Sequence, residues 1–106
     1  MIMKNKILAL LLVVAVQLGA TEPPKFLNGI NYTIEQLTTE DGEGFTCYTI
    51  RNKEDWKKMN ERFNRMGRIH SFVQDGIVFG WKRSGDWEIL RSWAWGFRQF
   101  RIYEFE

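Results

Sequence analysis

Cys47 and His70 are the only thiol and the only imidazole in this chain, so a Cys/His nucleophile–base pair is the one protease-like arrangement open to it. Cys47 lies between Thr46 and Tyr48 in a β-prone stretch. No basic neighbour or helix N-terminus is there to lower its pKa, which is the setting of an inert, buried thiol. His70 precedes Ser71 in a second β-prone stretch, where a strand-face histidine with a backbone or water partner is the ordinary outcome. The acids available for glycoside hydrolysis are Asp75, Asp86 and Glu88, and that chemistry needs two carboxyl groups about 5–10 Å apart across a cleft. Asp75 and Asp86 each adjoin a glycine, which is turn chemistry first. Glu40-Asp41-Gly42-Glu43 is acidic but lacks the alternating ligands of a calcium loop. A single cysteine excludes an internal disulfide and cysteine-pair zinc sites. These residues point to a non-catalytic protein with no cofactor and no bound metal.

The stronger functional signal is Arg91-Ser92-Trp93-Ala94-Trp95-Gly96-Phe97-Arg98. In an extended chain Arg91, Trp93 and Trp95 fall on one face, with small Ser92, Ala94 and Gly96 on the other. Tryptophan beside arginine is the composition of interface hot spots, and flat indoles also stack on sugar rings. Phe79-Gly80-Trp81-Lys82 echoes Trp95-Gly96-Phe97-Arg98 as aromatic, glycine, aromatic, basic, although two copies do not make a repeat architecture. The candidate binding set is therefore Arg91, Trp93, Trp95, Arg98 and Trp81. The competing reading puts Trp93 and Trp95 in the core with the stem of Arg91 passing over them, and residue types alone favour it slightly.

Positioning these groups falls to one helix and several strands. Asn52 is a good N-cap, with Glu54 and Asp55 in the first turn where the helix dipole favours acids. Trp56, Met59, Phe63 and Met66 recur at helical spacing as one apolar stripe. Glu54–Lys58 and Glu61–Arg65 are i,i+4 pairs in the favourable order, and Gly67 suits a left-handed C′ position. The spacing predicts a helix over 53–66. Before it, Ile30, Tyr32 and Ile34 alternate with polar residues, and the acidic turn at 41–44 leads into β-prone 45–50, which together predict a hairpin. After it, segments at 69–73, 77–83, 87–92 and 97–105 are divided by Gln74-Asp75-Gly76 and Ser84-Gly85-Asp86. Gly80 and Gly96, inside these stretches, mark bulges or close backbone approaches. The expected architecture is α+β in the order β-β-α-β-β-β-β, an antiparallel sheet with one amphipathic helix packed on one face.

The opening residues set the compartment. Lys4 and Lys6 precede an apolar run from Ile7 to Val16, and Gln17-Leu18-Gly19-Ala20 follows as a polar break with small residues. This is the layout of a secretory signal peptide over 1–20, and its ten-residue apolar run falls short of the roughly 20 residues of a membrane span. Leu18 is large for its place before the cleavage point, which keeps an uncleaved anchor as the alternative. An extended leader over 21–29 and a single domain over 30–106 would follow. Removing 20 of 106 residues leaves 86, a small domain with no disulfide to staple it. All 16 aromatic residues lie in that part, enough apolar area to stand in for a staple.

Without the signal the chain is electrically neutral but lopsided: residues 21–50 carry −4 and residues 51–106 carry +4. Such a dipole suits an anionic partner on the second half, while the modest basic excess argues against nucleic acid. Asn31-Tyr32-Thr33 fits the N-glycosylation sequon, relevant to a eukaryotic source. The terse Lys-Asn-Lys start looks bacterial and favours a periplasmic or secreted location. The expected function is an exported binding module, an inhibitor or regulator of an envelope or extracellular protein, phage-encoded origin included. The alternatives are a glycan or cell-wall binding module using Trp93 and Trp95, and a minimal Cys47/His70 hydrolase. A buried Cys47 predicts a single band on a non-reducing gel.

Overall fold

The structure, a computed structural model, describes residues 22–105; the expected signal peptide and its cleavage point lie outside the described residues. Among the described residues six strands form one antiparallel sheet: β1 (Thr33–Thr38), β2 (Gly44–Ile50), β3 (His70–Gln74), β4 (Ile77–Ser84), β5 (Trp87–Ala94) and β6 (Phe97–Phe105). The helix, α1 (Lys53–Met66), joins β2 to β3. The spatial order is β1-β2-β6-β5-β4-β3. The last strand is therefore inserted between the first hairpin and the rest of the sheet.

α1 starts where its capping chemistry dictates. The Asn52 side chain accepts hydrogen bonds from the backbone N–H groups of Glu54 (2.9 Å) and Asp55 (3.2 Å), and Gly67 ends the helix at φ 74°. Met59 and Phe63 are fully buried, Trp56 nearly so, and Met66 packs against the core they form. The rings of Trp56 and Phe63 lie 5.5 and 5.3 Å from that of Phe100 in β6. The helix thus sits over the centre of the sheet.

Strand register explains which face it covers. Tyr48, Ile102 and Ile89 stand opposite one another across β2, β6 and β5, as do Ile50, Phe100 and Arg91 in the next row. All but Arg91 are buried, and they form the core with the helical stripe. The alternate rows, Cys47–Tyr103–Glu88 and Thr49–Arg101–Leu90–Trp81–His70, project to the opposite face, which carries no helix among the described residues. Between β3 and β4, Asp75 (φ 53°) and Gly76 (φ 78°) both take the left-handed conformation of a two-residue type I′ turn.

The segment expected as an extended leader is shaped differently. Lys25–Leu27 makes one 3-10 turn, and Leu27 and Ile30 enter the core. Arg62 Nη1 holds the segment from the helix by donating to the carbonyls of Phe26 and Asn28, each at 2.7 Å. Asp55, itself buried, accepts from the backbone N–H of Asn31 (3.1 Å) and from its side-chain Nδ2 (3.4 Å). Burial of Leu27 and Ile30 gives these residues an apolar reason to stay docked that two prolines and a polar flank did not signal.

Candidate functional site

Arg91 leaves the central strand β5 on the helix side of the sheet. Its Nη1 donates to Asn60 Oδ1 and Asn64 Oδ1 of α1, both at 2.9 Å. Its guanidinium carbon lies 5.0 Å from the centroid of the Phe63 ring, a cation–π distance. On β4 the residue opposite is Gly80, and a Cβ there would fall 2.9 Å from Arg91 Nη2 and 3.2 Å from Nε. Gly80 is where the guanidinium crosses the neighbouring strand, so the close approach expected at this glycine is present and its cause is Arg91. Burial lowers the pKa of Arg91 from its ordinary value, and the group stays a cation. Among the described residues no carboxylate is within ion-pairing distance of it.

Two positions along β5, Trp93 stands opposite Val78 of β4 and Arg98 of β6 on the same face. There the helix no longer covers the sheet. Trp93 is 38% exposed and Val78 39%. Trp56, Asn60, Val78, Arg91 and Trp93 enclose a groove of about 290 Å³ between α1 and the β4–β5 pair. A second hollow, about 230 Å³, lies at the N-terminal end of the helix, lined by Asn31, Tyr32, Thr49, Arg51 and the N-cap Asn52 among others.

Trp95 departs from its expected place. It does not continue the strand beside Arg91 and Trp93; with Gly96 (φ 82°) it forms the turn joining β5 to β6. Its side chain is 93% exposed, and its ring meets that of Trp93 edge-on at 6.4 Å and 81°. Gly96 is therefore a turn glycine and no strand bulge. The core reading of both tryptophans does not hold: one is half-exposed and the other stands in solvent. Ser92, expected behind them, is buried on the far side of the sheet.

Trp81 is separated from this cluster. It is 36% exposed on the helix-free face, and its indole Nε1 donates to Glu88 Oε1 at 3.4 Å, while Arg83 pairs with the other oxygen at 3.2 Å. That face also carries the stacked rings of Phe72 and Phe79, 5.1 Å apart, at the β3 edge. Of the five candidate residues the structure brings together Arg91, Trp93 and Arg98 by register, with Trp95 beside Trp93, and leaves Trp81 out.

The catalytic alternatives lose their geometry. Cys47 on β2 and His70 on β3 have β6, β5 and β4 between them. Four strand spacings of about 4.8 Å separate them by roughly 19 Å, so they form no nucleophile–base pair. Cys47 is 2% exposed, and burial raises its thiol pKa, the opposite of activation. Asp75 and Asp86 occupy turns at opposite ends of the eight-residue strand β4, and Glu88 is engaged with Trp81 and Arg83. Among the described residues no group of three His, Cys, Asp or Glu side chains is arranged to hold a metal ion.

Asn60, Asn64, Val78 and Gly80 belong to the site and were not singled out for it from sequence. The available signal was Asn60 and Asn64 at i,i+4 beside the apolar stripe, where two amides placed together on one flank serve a common partner. No protein-family model matches the chain, and neither a curated protein nor a solved structure shows similarity to it.

Proposed function

We propose that this protein is an exported, non-catalytic binding module that recognises a protein partner through Trp93, Trp95, Arg91 and Arg98, acting as an inhibitor or regulator in the envelope or extracellular space. The observation that carries the reading is Trp95, 93% exposed at a hairpin tip beside half-exposed Trp93. Exposing two indoles costs solvation free energy with no return in the isolated fold, whereas rigid aromatic anchors flanked by arginine are what interfaces use. The signal-like first 20 residues support export, and the separated acidic and basic halves support a charged counterpart. The edge-on geometry of Trp93 and Trp95 forms a notch where a flat sugar-stacking platform would need the rings side by side, so a protein ligand is preferred over a glycan.

The test compares partner capture from the native envelope by the wild-type protein and by Trp95→Ala. An exposed turn residue contributes within about ±0.5 kcal/mol to stability, so the variant should keep the wild-type unfolding midpoint and lose the interaction. Equal capture by both proteins would remove the reading, and wild-type binding to purified peptidoglycan would replace it with the glycan alternative.

A further inference from the structure

We infer that β3 is a self-association edge, where a second copy of this chain pairs antiparallel through Ser71 and Val73. β3 lies at one end of the sheet, and His70, Ser71, Phe72, Val73 and Gln74 are all exposed. The type I′ turn fixes which of its backbone groups are unused. Such a turn is closed by a bond from Ile77 N–H to the carbonyl of Gln74, which makes these two a hydrogen-bonded pair. Bonded pairs alternate along an antiparallel ladder, so Phe72–Phe79 and His70–Trp81 are bonded as well. Ser71 and Val73 therefore turn both N–H and C=O away from β4. Those groups have no partner among the described residues.

The make-up of β3 fits a second copy. Natural sheet edges are guarded by charges, prolines or bulges. β1, the other edge, carries Glu35 in mid-strand, whereas β3 contains no Asp, Glu, Lys, Arg or Pro. Around a two-fold axis at Phe72, Ser71 of each copy faces Val73 of the other, and every outward N–H meets an outward C=O. Phe72 then faces Phe72 in a non-hydrogen-bonded pair, the kind in which side chains approach closest. Its ring is already fixed by stacking on Phe79 at 5.1 Å. On the other face Val73, 69% exposed, continues the row of Trp93 and Val78 out to the edge. The same register sets Asp75 of one copy opposite Ile69 of the other, one position from Arg68. Arg68 and Asp75 have no ion-pair partner among the described residues, so each end of the seam joins an unmatched cation to an unmatched anion. A strand of five residues offers less than the roughly 1,200 Å² of a standard interface, so the dimer forms in a concentration-dependent equilibrium.

Sedimentation equilibrium of the protein produced from its full 106-residue chain should show monomer and dimer exchanging between about 1 μM and 1 mM. Val73→Pro removes an outward N–H that the β3–β4 ladder does not use. The variant should fold and dimerise at least about tenfold more weakly. Single cysteines read the register separately. Across a non-hydrogen-bonded pair the Cα atoms lie about 4.5 Å apart, within disulfide range, so Phe72→Cys should cross-link to itself under mild oxidation. Gln74→Cys, which faces His70, should not. Trp95→Ala, two strands from the seam, should dimerise like the wild type, which separates this edge from the partner-binding face. A protein that stays monomeric up to about 1 mM overturns the inference. So does a dimer that Val73→Pro leaves intact, or Gln74→Cys cross-linking as readily as Phe72→Cys. If Val73→Pro does not fold, the two cysteine variants decide alone.

Discussion

The guanidinium of Arg91 occupies the space that a side chain at Gly80 would need, with Nη2 only 2.9 Å from the position of a Cβ there. The end of an arginine is ordinarily free to swing aside. Here it is tied to Asn60 and Asn64 and laid over Phe63, and Ile69 Cγ2 closes the other side at 3.2 Å. Gly80→Ala should therefore destabilise the domain by about 1–3 kcal/mol, the usual cost of overpacking. In a double-mutant cycle measured by urea unfolding, Arg91→Ala should absorb part of that loss, since the clash disappears with the side chain. Strict additivity of the two changes would show that Gly80 is required for something else.

Tyr48 is 1% exposed in the middle of the core, and its hydroxyl has no hydrogen-bond partner among the described residues. Its ring is well used, lying 5.1 Å from Tyr32 and 5.8 Å from Trp87. Tyr48→Phe keeps those contacts and removes a stranded polar atom, so it should leave stability unchanged or raise it by about 1–2 kcal/mol. A lower urea midpoint would mean that a buried water serves the hydroxyl.

Stability should fall on the alkaline side. Burial raises the pKa of Cys47, of Tyr103 and of Tyr48, the last to about 12. The folded protein thus holds these protons to higher pH than the unfolded chain does. Their contribution is complete below the unfolded values, about 8.5 for a thiol and about 10 for a phenol, and is lost as pH rises through the folded ones. Urea midpoints at pH 7, 9 and 10.5 should decline, most steeply over the last interval, and Tyr48→Phe should flatten that interval. A flat wild-type profile from pH 7 to 10.5 would contradict the burial of these groups.

The N-cap gives a further check on the helix. Losing the Asn52 side chain leaves two backbone donors, of Glu54 and Asp55, without their acceptor. Asn52→Ala should cost about 1 kcal/mol, and Asn52→Asp should restore most of it. Helical fraction by circular dichroism and the urea midpoint report on both.

How much of this was legible in the residues depended on how local each signal is. The helix from Lys53 to Met66 was readable throughout because cap, stripe and terminal glycine all lie within sixteen residues of one another. The β-β-α-β-β-β-β order followed from turn residues in the same way. Face was harder. Ile77, Phe79 and Trp81 make the more aromatic side of β4, yet α1 covers the other side, where Gly80 admits Arg91. Alternation within a strand cannot say which face a distant helix will choose. Trp95 was misplaced because a tryptophan followed by glycine reads as strand plus bulge, and only the Ala94–Phe97 register reveals a turn. The separation of Cys47 from His70 depends on β6 standing between β2 and β5, a long-range fact that no short stretch encodes.

The interior position of β6 also governs when the fold can close. The β1–β2 hairpin reaches the other strands only by pairing Phe45–Ile50 with Phe100–Phe105, partners 50 to 60 residues apart in sequence. Until Phe97–Phe105 arrives, the helix has no Phe100 to rest on and the two halves of the sheet share no hydrogen-bonded seam. Contacts so distant along the chain form slowly. Assembly of the sheet therefore waits on β6, the last in chain order of the six described strands.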